Sequence, residues 1–160
     1  MRLFQRKPNT SNTFLAPVTG TCIALGEVQD EAFASKLCGE GVAVVPADGL
    51  YRSPVDGVLT GIATSKHAYT LTSTDGLEVL VHIGINTVEL KGEGFTPKAA
   101  VGENLRKGDP LCEVDLALLK GRGYDTTSPA VILNTEDVKS LHCHTGRVAG
   151  GADPVMEYTL

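Results

Sequence analysis

The sequence predicts an all-β protein, an antiparallel β-sandwich or flattened barrel with internal duplication and a few short helices. Three observations carry this. The chain has 18 glycines and 8 prolines spread along its length, few aromatics and no Trp, a composition that favours short strands and tight turns over helices. Apolar residues alternate with polar ones over short windows, most clearly around Leu77 to Ile85. A pattern also recurs: Ala16-Pro17-Val18-Thr19-Gly20 introduces the apolar run Cys22 to Leu25, and Ser53-Pro54-Val55-Asp56-Gly57 introduces Val58 to Ile62. Two similar halves closing on each other would build such a sandwich.

In chain order, residues 1–13 are polar, locally basic and interrupted by Pro8, and read as a flexible N-terminal tail. Residues 14–160 read as one β domain. Asp30 to Leu37 is expected to form a short helix with Asp30 as N-cap, ending at Gly39. A strand over Val42 to Pro46 follows, then strands over Ser65 to Ser73 and from Leu77 onward. Lys91 to Phe95 is a glycine-rich turn that returns Phe95 to the core. Cys112 to Leu119 runs from a strand into a helical turn stopped by Gly121, Ser128 to Asn134 is a buried strand, Thr135 to Leu141 a short capped helix, and Pro154 to Thr159 the last strand.

The pair of strands around Asp75-Gly76 bears two histidines, and Asp-Gly between alternating segments is a strong hairpin signal. A two-residue loop there places Leu71 opposite Leu80, Tyr69 opposite His82, His67 opposite Gly84 and Ser65 opposite Asn86, all on one face. His67 and His82 become diagonal neighbours with no side chain at Gly84 between them. Val79, Val81, Ile83 and Ile85 fall on the other face, toward a core. A three-residue loop would instead put the histidines on opposite faces.

Composition bounds the function further. A chain of 160 residues, 42% hydrophobic and 21% charged, supports one domain with a proper core. The net charge of −5 argues against nucleic acid or an anionic membrane as the main partner and favours a partner with a basic face. Cys22, Cys38, Cys112 and Cys143 have no CxxC spacing and read as free thiols of a reducing cytosol. With neither an apolar span of about 20 residues nor a signal-peptide apolar region, the expected location is cytoplasmic. Leu3 and Phe4 beside Arg2, Arg6 and Lys7 allow at most transient membrane contact.

The segment Gly76 to Phe95, GLEVLVHIGINTVELKGEGF, resembles the phosphorylation-site signature of the glucose-type enzyme IIA domains of the bacterial phosphoenolpyruvate-dependent sugar phosphotransferase system. Both Pro-Val-x-Gly motifs, the segment 33–41, Lys66-His67-Ala68-Tyr69 and Ser128-Pro129-Ala130-Val131-Ile132 extend the resemblance over about residues 14 to 160. The resemblance implies a phosphotransferase component in which His82 accepts a phosphoryl group from the phosphohistidine of HPr and passes it to a cysteine of an enzyme IIB domain. It implies that His67 hydrogen-bonds the phosphoryl group and that Ser65 supplies the hydroxyl that orients His67. It places Phe33, Ala63 and Leu80 on an apolar docking rim, with Asp30 facing basic HPr and Gly84 letting a partner approach closely. Ala63 replaces a larger residue of the family, and Asn86 stands where Asp is frequent. Regulatory targets are a further class of partner, and no cofactor is required.

Other residues admit other readings. His142-Cys143-His144 would put both imidazoles on one face of a strand, a spacing used by zinc peptidases of LytM type. Those enzymes need a further His and an Asp and work outside the cytoplasm, which leaves a plain surface pair as the expectation, with adventitious zinc as the lesser alternative. Val101 to Leu111 resembles the turn chemistry of lipoyl and biotinyl carriers, although no Met-Lys or Asp-Lys pair is present. A regulatory protein on the same fold that never relays phosphate is the nearer rival, and the presence of both His67 and His82 argues against it.

Overall fold

The structure, a computed structural model, describes residues 12–160. Residues 1–11 of the expected tail, and with them the expected membrane contact of Leu3 and Phe4, lie outside the described residues. Thr13, expected in the tail, belongs to the first strand.

Among the described residues the strands, all paired antiparallel, are β1 (Thr13–Leu15), β2 (Gly20–Ala24), β3 (Glu40–Pro46), β4 (Leu50–Arg52), β5 (Gly57–Ile62), β6 (Ala68–Ser73) and β7 (Glu78–His82). They continue with β8 (Phe95–Pro97), β9 (Asn104–Leu105), β10 (Pro110–Val114), β11 (Ser128–Ile132), β12 (Ser140–Cys143), β13 (Gly146–Val148) and β14 (Pro154–Thr159). One sheet of eight runs in the order β9-β5-β6-β7-β11-β3-β2-β13; two sheets of three run β4-β10-β8 and β12-β14-β1. Two short α-helices, α1 (Glu31–Ala34) and α2 (Leu116–Gly121), are capped by Asp30 and Asp115. The all-β expectation therefore holds.

The duplication is written into the hydrogen bonds. Leu15 N–H donates to the Pro54 carbonyl at 2.9 Å, and Arg52 N–H donates to the Pro17 carbonyl at 2.7 Å, a reciprocal pair between the two motifs. Ala16 N–H reaches the Asp153 carbonyl and Ser53 N–H the Asp109 carbonyl, both at 2.8 Å. Thr19 Oγ1 accepts from Gly150 N–H at 2.9 Å as Asp56 Oδ1 accepts from Lys107 N–H at 2.8 Å. Each half thus satisfies backbone donors of the other in equivalent ways.

The main core joins Phe14, Tyr51, Leu59, Tyr69, Leu71, Val79, Val81, Leu111 and Met156 among others. A smaller cluster of Leu25, Val28, Phe33, Ala43, Ile85 and Val131, with Leu80 packed on it, lies under the site. Phe95 is buried at the start of β8, as the glycine-rich turn requires.

Three elements depart from expectation. α1 covers only Glu31–Ala34, because the chain turns out of the helix and Lys36 takes a left-handed φ of 65°. The strand expected from Ser65 begins only at Ala68; Lys66 N–H bonds the Ala63 carbonyl at 2.7 Å and Lys66 has φ 63°. Thr135 to Leu141 is not a helix: a single 3-10 turn, Thr135–Asp137, leads into β12. Thr135 Oγ1 accepts from Glu40 N–H at 3.0 Å and donates to the Ile132 carbonyl at 2.8 Å, so the side chain expected to cap a helix ties two strands instead.

Candidate functional site

The hairpin that carries the histidines closes differently from expectation. Ser73 N–H donates to the Leu77 carbonyl at 2.8 Å, leaving a three-residue loop of Thr74, Asp75 and Gly76, the last at φ 99°. Asp75 explains the extra residue: its carboxylate accepts from Ser73 Oγ and from Tyr158 O–H, the latter at 2.7 Å. Drawing Asp75 inward consumes one residue of the strand.

The register shifts accordingly. Ala68 faces His82, Thr70 faces Leu80, and Leu71 faces Val79. Tyr69 and Leu71 therefore join Val79 and Val81 in the core, all fully buried, and do not share the face of Leu80 and His82 as expected. By strand alternation His67 would lie on the face opposite His82. The two rings meet all the same, edge to face, with centroids 4.9 Å apart and planes at 85°. Alternation ends with the ladder: β6 starts at Ala68, β7 stops at His82, and Lys66 and Gly84 at φ 63° and 76° bend both strands out of pleat.

His82 Nδ1 lies 2.8 Å from the Gly84 carbonyl. A carbonyl only accepts, so Nδ1 carries the proton and Nε2 holds a bare lone pair. Phe33 packs on the ring with centroids 5.0 Å apart. Burial pushes the His82 imidazole below its ordinary range, the Gly84 carbonyl and Asp30 acting in the opposite sense and His67 in the same one. Burial lowers His67 as well. Both rings are thus biased toward the neutral form that a nitrogen nucleophile needs.

His67 Nδ1 is buried and has no hydrogen-bond partner, so Ser65, half-buried in the turn before it, makes no bond to that atom. Gly84 is buried, and a Cβ there would meet Thr87 Cγ2 at 2.6 Å, so the inside of the loop by itself requires glycine. Leu80 shares the outer face with His82 and is half-buried; Ala63 is half-buried in the turn ahead of His67; Asn86 is exposed at φ 61°. Phe33, 7% exposed, is more wall than rim. Asp30 Oδ1 caps α1 by accepting from Ala32 and Phe33 N–H at 3.0 and 3.4 Å, which fixes Phe33 against His82.

Sequence reasoning missed Ser128 and Tyr51, which stand behind the Gly84 loop. Ser128 Oγ accepts from Gly84 N–H at 3.2 Å and lies 2.7 Å from Tyr51 Oη. Tyr51 lies in another sheet, and nothing in its local sequence marks it.

His142 in β12 and His144 just after that strand sit elsewhere, with ring centroids 4.7 Å apart. His144 Nε2 pairs with Glu157 Oε2 at 3.0 Å. No group of three His, Cys, Asp or Glu side chains able to hold a metal occurs among the described residues.

An antiparallel β fold that holds two imidazoles edge to face, one with a bare Nε2, can present a nitrogen nucleophile. The family described as the phosphoenolpyruvate-dependent sugar phosphotransferase system, EIIA 1, matches residues 12–138. The glucose-specific EIIA component of Haemophilus influenzae is 38% identical over 157 residues, 97% of this chain and 95% of that one. The N-acetylglucosamine-specific EIICBA component of Klebsiella pneumoniae is 38% identical over 149 residues, which span 92% of this chain and 23% of that much longer one. Among solved structures, glucose permease IIA from Mycoplasma capricolum superposes with a TM-score of 0.82 at 35% identity, covering 90% of this chain and 93% of the other. The chain belongs to this EIIA family and is a phosphotransferase component, a phosphocarrier, of the sugar phosphotransferase system.

Proposed function

We propose that His82 is the phosphoryl-carrying residue, taking the group on Nε2 from the phosphohistidine of HPr and passing it to a cysteine of an enzyme IIB domain. The observation that carries this reading is the Nδ1–H bond of His82 to the Gly84 carbonyl, which leaves Nε2 as the nucleophile. As the new P–N bond forms, the P–N bond of the donor breaks, and the same in-line exchange then delivers the phosphoryl group to sulfur. Positioning and charge stabilisation are the main demands of such a transfer.

His67 is assigned the second role. A proton on its Nε2 leaves the buried, unpaired Nδ1 as a lone pair, a smaller penalty than burying an unpaired N–H, and aims a donor outward for the phosphoryl oxygens. Rotation of the Ser65 hydroxyl onto Nδ1 would reinforce that tautomer. Leu80, Phe33, Ala63 and Asn86 border the site and Asp30 adds a negative charge beside it, an arrangement suited to a basic partner such as HPr. Gly84 acts from within the loop.

The proposed domain is residues 14–160, working in the cytoplasm where HPr is phosphorylated. Among the described residues no helix is long and apolar enough to cross a membrane. The names of the Haemophilus and Mycoplasma relatives make a glucose-type enzyme IIB the first partner to test. Zinc on His142 and His144 would be adventitious: one ring is exposed, and the other is already paired with Glu157.

The test is incubation with phosphoenolpyruvate, enzyme I and HPr, followed by mapping of the acid-labile adduct. Phosphate on His82 is expected; phosphate on any other residue would overturn the reading. For His67→Gln, His82 is expected still to be phosphorylated but to discharge to enzyme IIB at least tenfold more slowly. Normal discharge would remove His67 from the mechanism.

A further inference from the structure

Three successive amides of the loop after His82 are all committed, one to the turn at His67 and two to the segment 125–128. Ile83 N–H donates to the His67 carbonyl at 2.7 Å, Gly84 N–H to Ser128 Oγ at 3.2 Å, and Ile85 N–H to the Asp125 carbonyl at 2.9 Å. On the other side of the same peptides, Thr87 Oγ1 donates to the Ile83 carbonyl and the Gly84 carbonyl receives His82 Nδ1–H. Two of these ties are backbone to backbone and would survive most substitutions. The tie at Gly84, the residue whose carbonyl decides the His82 tautomer, depends on a side chain.

That side chain is fully used. Ser128 Oγ donates its one proton to the Thr126 carbonyl at 2.8 Å, which leaves two lone pairs. One accepts Gly84 N–H. The other faces Tyr51 Oη at 2.7 Å, so the Tyr51 hydroxyl must be the donor. Ser128 and Tyr51 are both 0% exposed. Burial holds the Tyr51 phenol far above its ordinary range, so it remains a donor at any pH the protein meets. Tyr51 lies on β4 of the β4-β10-β8 sheet and Ser128 opens β11 of the eight-stranded sheet, so the bond spans the core.

We propose that Ser128 and Tyr51 are positioning residues for phosphoryl transfer: by fixing Gly84 they hold its carbonyl on His82 Nδ1 and keep Nε2 unprotonated and aimed at the incoming phosphorus. The assignment rests on His82 being the carrier. Without Ser128 Oγ, Gly84 loses its tether, the Nδ1–H bond loosens, and the ring is free to take the Nε2–H tautomer, which has no lone pair to attack with.

The test reads the tautomer directly, apart from transfer. In 15N-labelled full chain at neutral pH, the His82 ring is expected to show a protonated Nδ1 and an unprotonated Nε2 by long-range 1H–15N correlation. Ser128→Ala is expected to move both nitrogens toward the averaged shifts of mixed tautomers and to slow phosphorylation by phospho-HPr about tenfold in kcat, with KM for phospho-HPr little changed. Tyr51→Phe, which removes one donor and keeps the ring volume, is expected to move the same signals in the same direction by less; it decides the matter if Ser128→Ala does not fold. Unchanged His82 nitrogen shifts in the variants that fold would overturn the proposal. If wild-type His82 takes up no phosphate while the shifts respond as expected, the carrier assignment fails and the tether stands.

Discussion

At the scale of single residues the site depends on a few groups with no freedom to vary. Gly84 has φ 76°, and an added Cβ would press on Thr87 Cγ2 at 2.6 Å and on the Asp125 carbonyl at 3.1 Å. Gly84→Ala is therefore expected to destabilise the fold by about 1–3 kcal/mol and to slow phosphorylation of His82, because the displaced carbonyl is the one that sets its tautomer. Chemical denaturation and a phosphorylation time course check the two effects; a neutral substitution would show that the loop is softer than its contacts imply. The identities of His67 and His82 were legible in the sequence, whereas the two-residue turn expected to make them neighbours is absent. Their mutual geometry was not legible, since it arises where the strands end and alternation stops applying.

At the scale of elements, the hairpin shows how one side chain resets a whole register. Asp-Gly by itself implies a two-residue turn, yet Asp75 is drawn inward by Ser73 and by Tyr158, a residue more than eighty positions later in the chain. A local motif cannot reveal a hydrogen bond to the last strand. Asp75→Ala leaves the buried Tyr158 hydroxyl without its acceptor and is expected to cost about 1–3 kcal/mol, read as a lower denaturation midpoint; an unchanged midpoint would mean that the turn holds without this anchor. The same limit explains Thr135, whose capping pattern was visible but whose hydroxyl is taken by Glu40 and Ile132. Asp30, by contrast, capped its helix as read, because a cap is completed within three residues.

At the scale of the whole molecule, burying two imidazoles beside each other makes stability depend on pH. Both His67 and His82 have lowered native values. Below about pH 6.5 an imidazole of the unfolded chain takes up a proton, while the folded ones resist until the pH is lower. The unfolded state then binds more protons, so stability is full above about pH 6.5 and is lost as the pH falls through the native values. The melting temperature is expected to drop between about pH 6.5 and 5, above the range where carboxylates titrate. The slope should be shallower for a His67→Gln, His82→Gln double variant, and an equal slope would place the proton uptake elsewhere.

Fold class, duplication and the alternation that buries Val79, Val81, Ile83 and Ile85 were decided by the sequence, because each follows from residue type at short, regular spacing. The signature around His82 likewise identified the family. Only the tertiary structure decided the three-residue turn, the edge-to-face meeting of His67 and His82, the inward role of Gly84 and the tether from Tyr51 through Ser128. Each of these rests on side-chain hydrogen bonds, packing within a loop or left-handed backbone, none of which periodicity encodes. The chain specifies which groups are available; packing settles which of them meet.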